Sequence, residues 1–209
     1  MTKQDVKTAL KGKMIAVIRN EESSMAIAVC KTLVESGIDA LEITFSVKGA
    51  EKVIKQLKAE LPRAIIGAGT VLTKEQAELA HQNGAMYIVS PCIVKEVADY
   101  CIENNLLCML GGATPSEVYQ AHSLGCDVVK LFPGDFVTAK MIKSIKAPLP
   151  FIDMMPSGGV DNTNIKEWFS AGAYAVGLGG FLTKGIHENN LDELKTRCED
   201  LVNMIGDSK

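Results

Sequence analysis

Eight short apolar runs, rich in β-branched residues, recur along this chain with amphipathic helical stretches between them. The runs cover 14–18, 40–45, 64–67, 86–89, 106–110, 128–132, 151–155 and 174–178. Strands separated by helices cannot pair as hairpins. They join through right-handed crossovers into a parallel sheet. Eight such units in 209 residues fit a closed (β/α)8 barrel, the TIM-barrel α/β architecture, better than an open doubly wound sheet. A hydrophobic fraction of 47% is enough to fill that core. The expectation is a single domain over 1–209, with a short helix ahead of the first strand and no linker.

The stretches between the runs carry apolar residues three and four apart, as in Ile27, Cys30, Leu33, Val34 and in Leu191, Leu194, Cys198, Leu201, Ile205. Thr73-Lys74-Glu75-Gln76 and Thr114-Pro115-Ser116-Glu117 fit the capping box, the second with proline at the first helical position. Gly37, Gly84, Gly125 and Gly172 each close a helix ahead of a strand, as left-handed C-cap glycines do. Their near-regular spacing, about two βα units per step, is a weak internal repeat.

The net charge of −3 marks no nucleic-acid or anionic-membrane surface. The cysteines Cys30, Cys92, Cys101, Cys108, Cys126 and Cys198 form no C-x-x-C pair and lie mostly in apolar runs. Buried free thiols in a reducing compartment are the expected reading. His81, His122 and His187 are scattered, with the first two on helices, so surface histidines and no metal site are expected. The first residues hold no apolar leader core, and no run approaches membrane-spanning length. A cytoplasmic protein without nucleic-acid or membrane partner follows as the expectation.

Strands of a parallel sheet are covered on both faces and read as continuous apolar runs. Two break that rule. Leu41-Glu42-Ile43-Thr44 carries a carboxylate, and Val128-Val129-Lys130-Leu131-Phe132 carries an amine. Burying either charge alone is costly, so each needs a partner. Glu42 lies five residues after Gly37, and Lys130 five after Gly125, so they are equivalent positions of even-numbered strands. Alternate strands of a barrel fill the same interior layer. Glu42 and Lys130 should therefore point inward at one level, toward the C-terminal mouth. A structural ion pair is the plainer reading, yet apolar residues would fill that space better. A lysine in apolar surroundings can offer a free amine that attacks a ketone, with the iminium as electron sink and the carboxylate moving protons.

After the seventh strand comes Pro156-Ser157-Gly158-Gly159-Val160, and after the eighth Gly177-Leu178-Gly179-Gly180. Barrels commonly hold phosphate there, where bare backbone lets N–H groups approach an anion. Gly67-Ala68-Gly69-Thr70 adds a small-residue mouth and a hydroxyl, and Arg19 at the end of the first strand is a candidate anion clamp.

Taken together, these segments resemble the bacterial 2-keto-3-deoxy-6-phosphogluconate aldolase family, which also cleaves 4-hydroxy-2-oxoglutarate. The likeness runs through Ala16-Val17-Ile18-Arg19, Leu41-Glu42-Ile43-Thr44, Gly67-Ala68-Gly69-Thr70-Val71, Ile88-Val89-Ser90-Pro91, Lys130-Leu131-Phe132-Pro133-Gly134 and Pro156-Ser157-Gly158-Gly159-Val160. It implies a homotrimer without a cofactor, a Schiff base at Lys130, and Glu42 as acid and base. It implies Thr70 near the pyruvoyl carboxylate and Ser157, Gly158 and Gly159 near a phosphate. Thr44, Pro91, Phe132, Gly179 and Gly180 complete the expected contacts to a phosphorylated keto-acid. The chain departs from the pattern at Ser46, where many members have arginine, at Ser157, often threonine, at Gly180, often serine, and at Leu110, often proline. Two rival readings are a sugar-phosphate epimerase or isomerase, which needs no lysine inside a strand, and a non-catalytic anion-binding barrel, which needs no buried amine.

Overall fold

The computed structural model describes residues 1–206. The chain runs α1 (Lys3–Leu10), β1 (Met14–Ile18), α2 (Ser23–Glu35), β2 (Ala40–Thr44), α3 (Ala50–Glu60), β3 (Ile65–Gly69), α4 (Lys74–Gln82) and β4 (Tyr87–Val89). It continues with α5 (Lys95–Glu103), β5 (Leu107–Gly112), α6 (Pro115–Ser123), β6 (Val128–Leu131), α7 (Ala139–Lys146), β7 (Met154–Pro156), α8 (Ile165–Ser170) and β8 (Val176–Leu178). Two helices, α9 (Gly180–Thr183) and α10 (Leu191–Gly206), end it. The last three residues of the expected 1–209 span lie outside the described residues.

The 8-stranded sheet is parallel throughout, in the order β7-β6-β5-β4-β3-β2-β1-β8. A bridge between Ser157 and Gly177 closes β7 onto β8. This is the expected (β/α)8 barrel, with α1 ahead of it. Strand residues alternate between two apolar clusters, as the two-residue period of a strand requires. Ile15, Ala40, Ile65, Val89, Met109, Val128 and Met155 fill the interior. Ala16, Ile18, Leu41 and Ile43 face outward against helical residues such as Leu33, Val53 and Leu57. Val6 and Leu10 of α1 join the interior cluster, so α1 plugs the N-terminal end of the barrel. Lys3 pairs with Asp127 at 2.9 Å and Lys7 with Asp153 at 3.4 Å, and the Tyr174 hydroxyl donates to the Lys7 carbonyl. The open end is therefore the C-terminal one. Among the described residues no helix is long and apolar enough to cross a membrane.

The four helix-closing glycines have φ of 93° (Gly37), 99° (Gly84), 84° (Gly125) and 92° (Gly172), each ahead of an even-numbered strand. The next N–H reaches back five residues in each case, as from Ile38 to Leu33 at 2.9 Å, which is the Schellman pattern. Asn105, with φ of 52°, does the same before β5. Thr114 and Glu117 form a complete capping box on α6. At α4 the Thr73 hydroxyl caps the Gln76 N–H, but the Gln76 side chain accepts from Leu72 instead of closing the box.

Four strands differ from the sequence expectation by two residues or more: β5 runs on to Gly112, β8 starts only at Val176, and the seventh and third runs differ as well. The seventh run was expected at 151–155, whereas β7 starts at Met154. Phe151 is 60% exposed, and the Ile152 N–H bonds the Leu149 carbonyl in a turn. The third run extends to Gly69, because Gly67 and Gly69 pair in register with Glu42 and Thr44.

Candidate active site

Glu42 and Lys130 meet inside the barrel. The Lys130 Nζ donates to Glu42 Oε1 at 3.1 Å, with side-chain exposures of 1% and 0%. Parity places them there: each is the inward residue of an even-numbered strand, one layer above the apolar plug. The Lys130 Nζ also lies 5.5 Å from the centre of the Phe132 ring. The second carboxylate oxygen, Glu42 Oε2, is buried and has no hydrogen-bond partner among the described residues. A buried acceptor without a donor is costly, and a substrate hydroxyl or a water on Glu42 would relieve it.

The glycines of Gly67-Ala68-Gly69-Thr70 have a reason the sequence did not disclose. A Cβ on Gly69 would lie 2.2 Å from Glu42 Oε1, and one on Gly67 would lie 2.5 Å from the Tyr87 ring. Gly69 leaves room for the carboxylate, and Gly67 for an aromatic ring buried beneath it. The Tyr87 hydroxyl donates to the Leu41 carbonyl at 2.7 Å, next in the chain to Glu42. Burial and the neighbouring Glu42 charge push the Tyr87 phenol well above its usual range, so it stays protonated and keeps donating. Sequence reading missed Tyr87. Its only trace there is the alternation within β4, which puts Tyr87 and Val89 on the inner face. Pro91 enters the site through its backbone: its carbonyl oxygen sits 2.0 Å from where a Cβ on Gly111 would be, and Gly111 is the register partner of Lys130.

At the mouth, Arg19 Nη1 donates to Thr70 Oγ1 at 3.3 Å, so the structure brings these two expected residues together. Thr70 holds φ of 56°, a backbone conformation uncommon outside glycine. Thr44 is fully buried, and its hydroxyl donates to the Ile18 carbonyl at 2.7 Å. A hydroxyl has one proton, so the 2.6 Å contact between Thr44 and Ser46 is donated by Ser46. Both hydroxyl protons are thus spent inside the protein.

Ser157, Gly158, Gly159, Gly179 and Gly180 gather where β7 and β8 end, next to the β1 end that carries Arg19. Gly158, Gly159, Gly179 and Gly180 line a cleft of about 290 Å³, together with Asp135, Val160, Asp161, Phe181 and Lys184. Ser157 is 4% exposed, and its Oγ lies 2.7 Å from the Cβ position of Gly177, which explains that glycine. Gly158 and Gly159 have φ of 92° and 63°. Asp135, which sequence reading did not single out, packs its carboxylate against both of them.

Cys30, Cys101, Cys108, Cys126 and Cys198 are buried free thiols, and burial pushes the Cys198 thiol up to about 12. Cys92 is exposed, contrary to the general expectation for the cysteines, because it follows Pro91 on the loop leaving β4. The histidines of α4 and α6 are half-buried rather than plain surface groups. His81 bonds the Tyr100 hydroxyl at 3.1 Å, and His122 packs on Phe151 with ring centres 5.1 Å apart. Among the described residues no group of His, Cys, Asp and Glu is gathered so as to hold a metal ion.

A plugged parallel barrel with an amine–carboxylate pair at the C-terminal mouth, with an arginine and a glycine cleft on its rim, defines an α/β-barrel enzyme with its chemistry inside the strand ends. The family model for KDPG and KHG aldolase matches residues 6–197. The 2-dehydro-3-deoxy-phosphogluconate aldolase of Haemophilus influenzae is 30% identical over 98% of this chain and 98% of its own. The 2-dehydro-3-deoxy-6-phosphogalactonate aldolase of Escherichia coli K12 is 33% identical over 81% of this chain and 83% of its own. A solved structure described as native KDPGal superposes with a TM-score of 0.86 at 29% identity, covering 93% of this chain and 95% of that one. The chain belongs to the KDPG and KHG aldolase family and is a lyase.

Proposed function

We propose that this protein is a class I aldolase cleaving 2-dehydro-3-deoxy-6-phosphogluconate to pyruvate and glyceraldehyde 3-phosphate, and also 4-hydroxy-2-oxoglutarate to pyruvate and glyoxylate. The observation that carries the reading is the buried pair of Lys130 and Glu42, 3.1 Å apart, with Glu42 Oε2 left unpartnered. Once its proton has passed to Glu42 or to water, the Lys130 amine attacks the C2 ketone and water leaves, giving an imine. Glu42 takes the C4 hydroxyl proton, the C3–C4 bond breaks, and its electron pair moves into the iminium. The aldehyde departs, the enamine is protonated at C3, and hydrolysis frees pyruvate and the amine. The protonated imine on Lys130 is itself the electron sink, so the scheme calls for no metal and no cofactor.

In this reading Arg19 and Thr70 hold the pyruvoyl carboxylate, while Phe132, Thr44 and the Pro91 carbonyl shape the walls around the imine. Ser157, Gly158, Gly159, Gly179 and Gly180 receive the phosphate end. The active form is a cytoplasmic homotrimer, in keeping with the family likeness. The test is borohydride reduction in the presence of pyruvate, followed by peptide mass mapping. One reduced pyruvoyl group should appear on the peptide containing Lys130. Labelling of another lysine, or of none, sinks the assignment.

A further inference from the structure

The glycine cleft already faces a carboxylate of the chain itself. Asp135 Oδ2 lies 3.1 Å from the Cβ position of Gly158, and Oδ1 lies 2.7 Å from that of Gly159. The bare backbone read as an anion cradle is therefore also the space that Asp135 occupies. Asp161 lines the cleft too, but its Oδ1 accepts from the Thr163 N–H at 2.8 Å and the Thr163 hydroxyl at 2.6 Å, so it is spent on the turn before α8. Among the described residues Asp135 has no hydrogen-bond or ion-pair partner, and Lys184, the cation lining this cleft, has no ion-pair partner. The charges of Asp135 and Lys184 offset one another. An incoming phosphate dianion thus meets no net positive side-chain charge here, and one carboxylate packs against the same two glycines it would use. An uncharged hydroxyl meets the opposite situation, since the carboxylate is an acceptor for it.

We propose that Asp135 is a specificity-determining residue that lowers the preference of the enzyme for a phosphorylated over an unphosphorylated substrate end. The inference rests on the aldolase reading above. The position of the residue follows from the fold. Asp135 stands in the single turn of 3-10 helix, Gly134–Phe136, that follows β6. That turn is tied to the loop after β7 by the Gly134 N–H, which donates to the Ser157 carbonyl at 2.8 Å. The same strand that carries Lys130 thereby delivers a carboxylate to the far end of the substrate.

The experiment compares 2-keto-3-deoxygluconate with its 6-phosphate, two substrates that differ only in the phosphate, on the wild type and on Asp135→Asn. The ratio of kcat/KM, phosphorylated over unphosphorylated, should rise roughly 3–10-fold in the variant, the effect of a partly screened like charge on a dianion. Inorganic phosphate should become a tighter competitive inhibitor by a similar factor, and both changes should shrink at high salt. Lys184→Met should move the ratio the other way. A ratio that stays constant or falls in Asp135→Asn overturns the proposal, as does a rise that salt leaves untouched. Borohydride labelling of Lys130 in the wild type separates the two failures: labelling with an unchanged ratio removes only the role of Asp135, whereas no labelling removes the aldolase reading itself.

Discussion

Glu42 can sit where it does because Gly69, on the neighbouring strand, has no side chain. The carboxylate occupies the volume where a Cβ would be, with Oε1 2.2 Å, Cγ 2.6 Å and Cδ 2.7 Å from that point. A methyl group there displaces the whole end of the side chain, not only its tip. Gly69→Ala should consequently resemble Glu42→Gln in kinetics, although the carboxylate itself is retained and only displaced. Each should lower turnover by roughly 10²–10⁴-fold, the usual range for a general acid or base. Both variants should still be trapped slowly by pyruvate and borohydride, because Lys130 is untouched. Steady-state kinetics with circular dichroism checks this. A folded Gly69→Ala variant that turns over normally refutes the steric argument, and a folded Glu42→Gln variant that does so removes the proton-transfer role. At this scale the sequence disclosed the two charged residues, because they violate the apolar rule of a parallel strand. It flagged Gly69 but not its purpose, and it missed Tyr87, because the reasons lie on other strands: the tight contacts are Gly69 with Glu42 and Gly67 with Tyr87. Asp135 was hidden for the same reason, its partners being Gly158 and Gly159 in the loop after β7.

Among the elements, α1 matters more than its position before the barrel implies. Val6 and Leu10 are 2% and 0% exposed and belong to the interior cluster rather than to the outer helical layer. The first helix thus completes the floor on which the layer of Glu42 and Lys130 rests. Leu10→Ala should cost about 2–5 kcal/mol of stability, the range for emptying a buried leucine site. Chemical denaturation measures it, and a loss below ~1 kcal/mol would mean that the plug is dispensable. The helix was legible as an element, but its task was not, since an amphipathic helix looks alike whether it covers a barrel or stoppers it. The glycine-closed units were legible because Gly37, Gly84, Gly125 and Gly172 repeat the same Schellman ending before β2, β4, β6 and β8. That repeat set the register in which Glu42 and Lys130 fell on one level. The start of β7 was not legible. Phe151 and Ile152 have the composition of a strand but stand in a turn, and only the tertiary environment separates the two.

Across the molecule the barrel is unevenly sewn. β2 and β3 share the pairs Ala40–Ile65, Leu41–Ile66, Glu42–Gly67, Ile43–Ala68 and Thr44–Gly69. β7 and β8 meet through the isolated bridge of Ser157 and Gly177, with the Tyr174 N–H donating to the Met154 carbonyl at 2.8 Å below it. β3 and β4 share the pair Ala68–Ile88, flanked by the Met86 N–H donating to the Ile66 carbonyl at 2.7 Å and the Val71 N–H to the Val89 carbonyl at 3.1 Å, and the Tyr87 hydroxyl ties that side to Leu41 from within. Among the described residues the seam at β7 and β8 has no such side-chain tie across it. Segments with few ladder bonds open below the global unfolding free energy. Amides of β7 and β8 should therefore exchange with solvent faster than those of β2 and β3 under native conditions. The two halves of the glycine cleft lie on the two sides of this seam, Gly158 and Gly159 after β7 and Gly179 and Gly180 after β8. An anion bound by both loops would staple the seam shut, since a ligand stabilises the states that bind it over those that do not. Saturating inorganic phosphate should hence slow exchange in β7 and β8 and leave β2 and β3 nearly unchanged. Hydrogen exchange followed by mass spectrometry, with and without phosphate, reads both statements. Uniform exchange across the strands would deny the weak seam, and protection by phosphate spread evenly over the barrel would deny that the cleft bridges it.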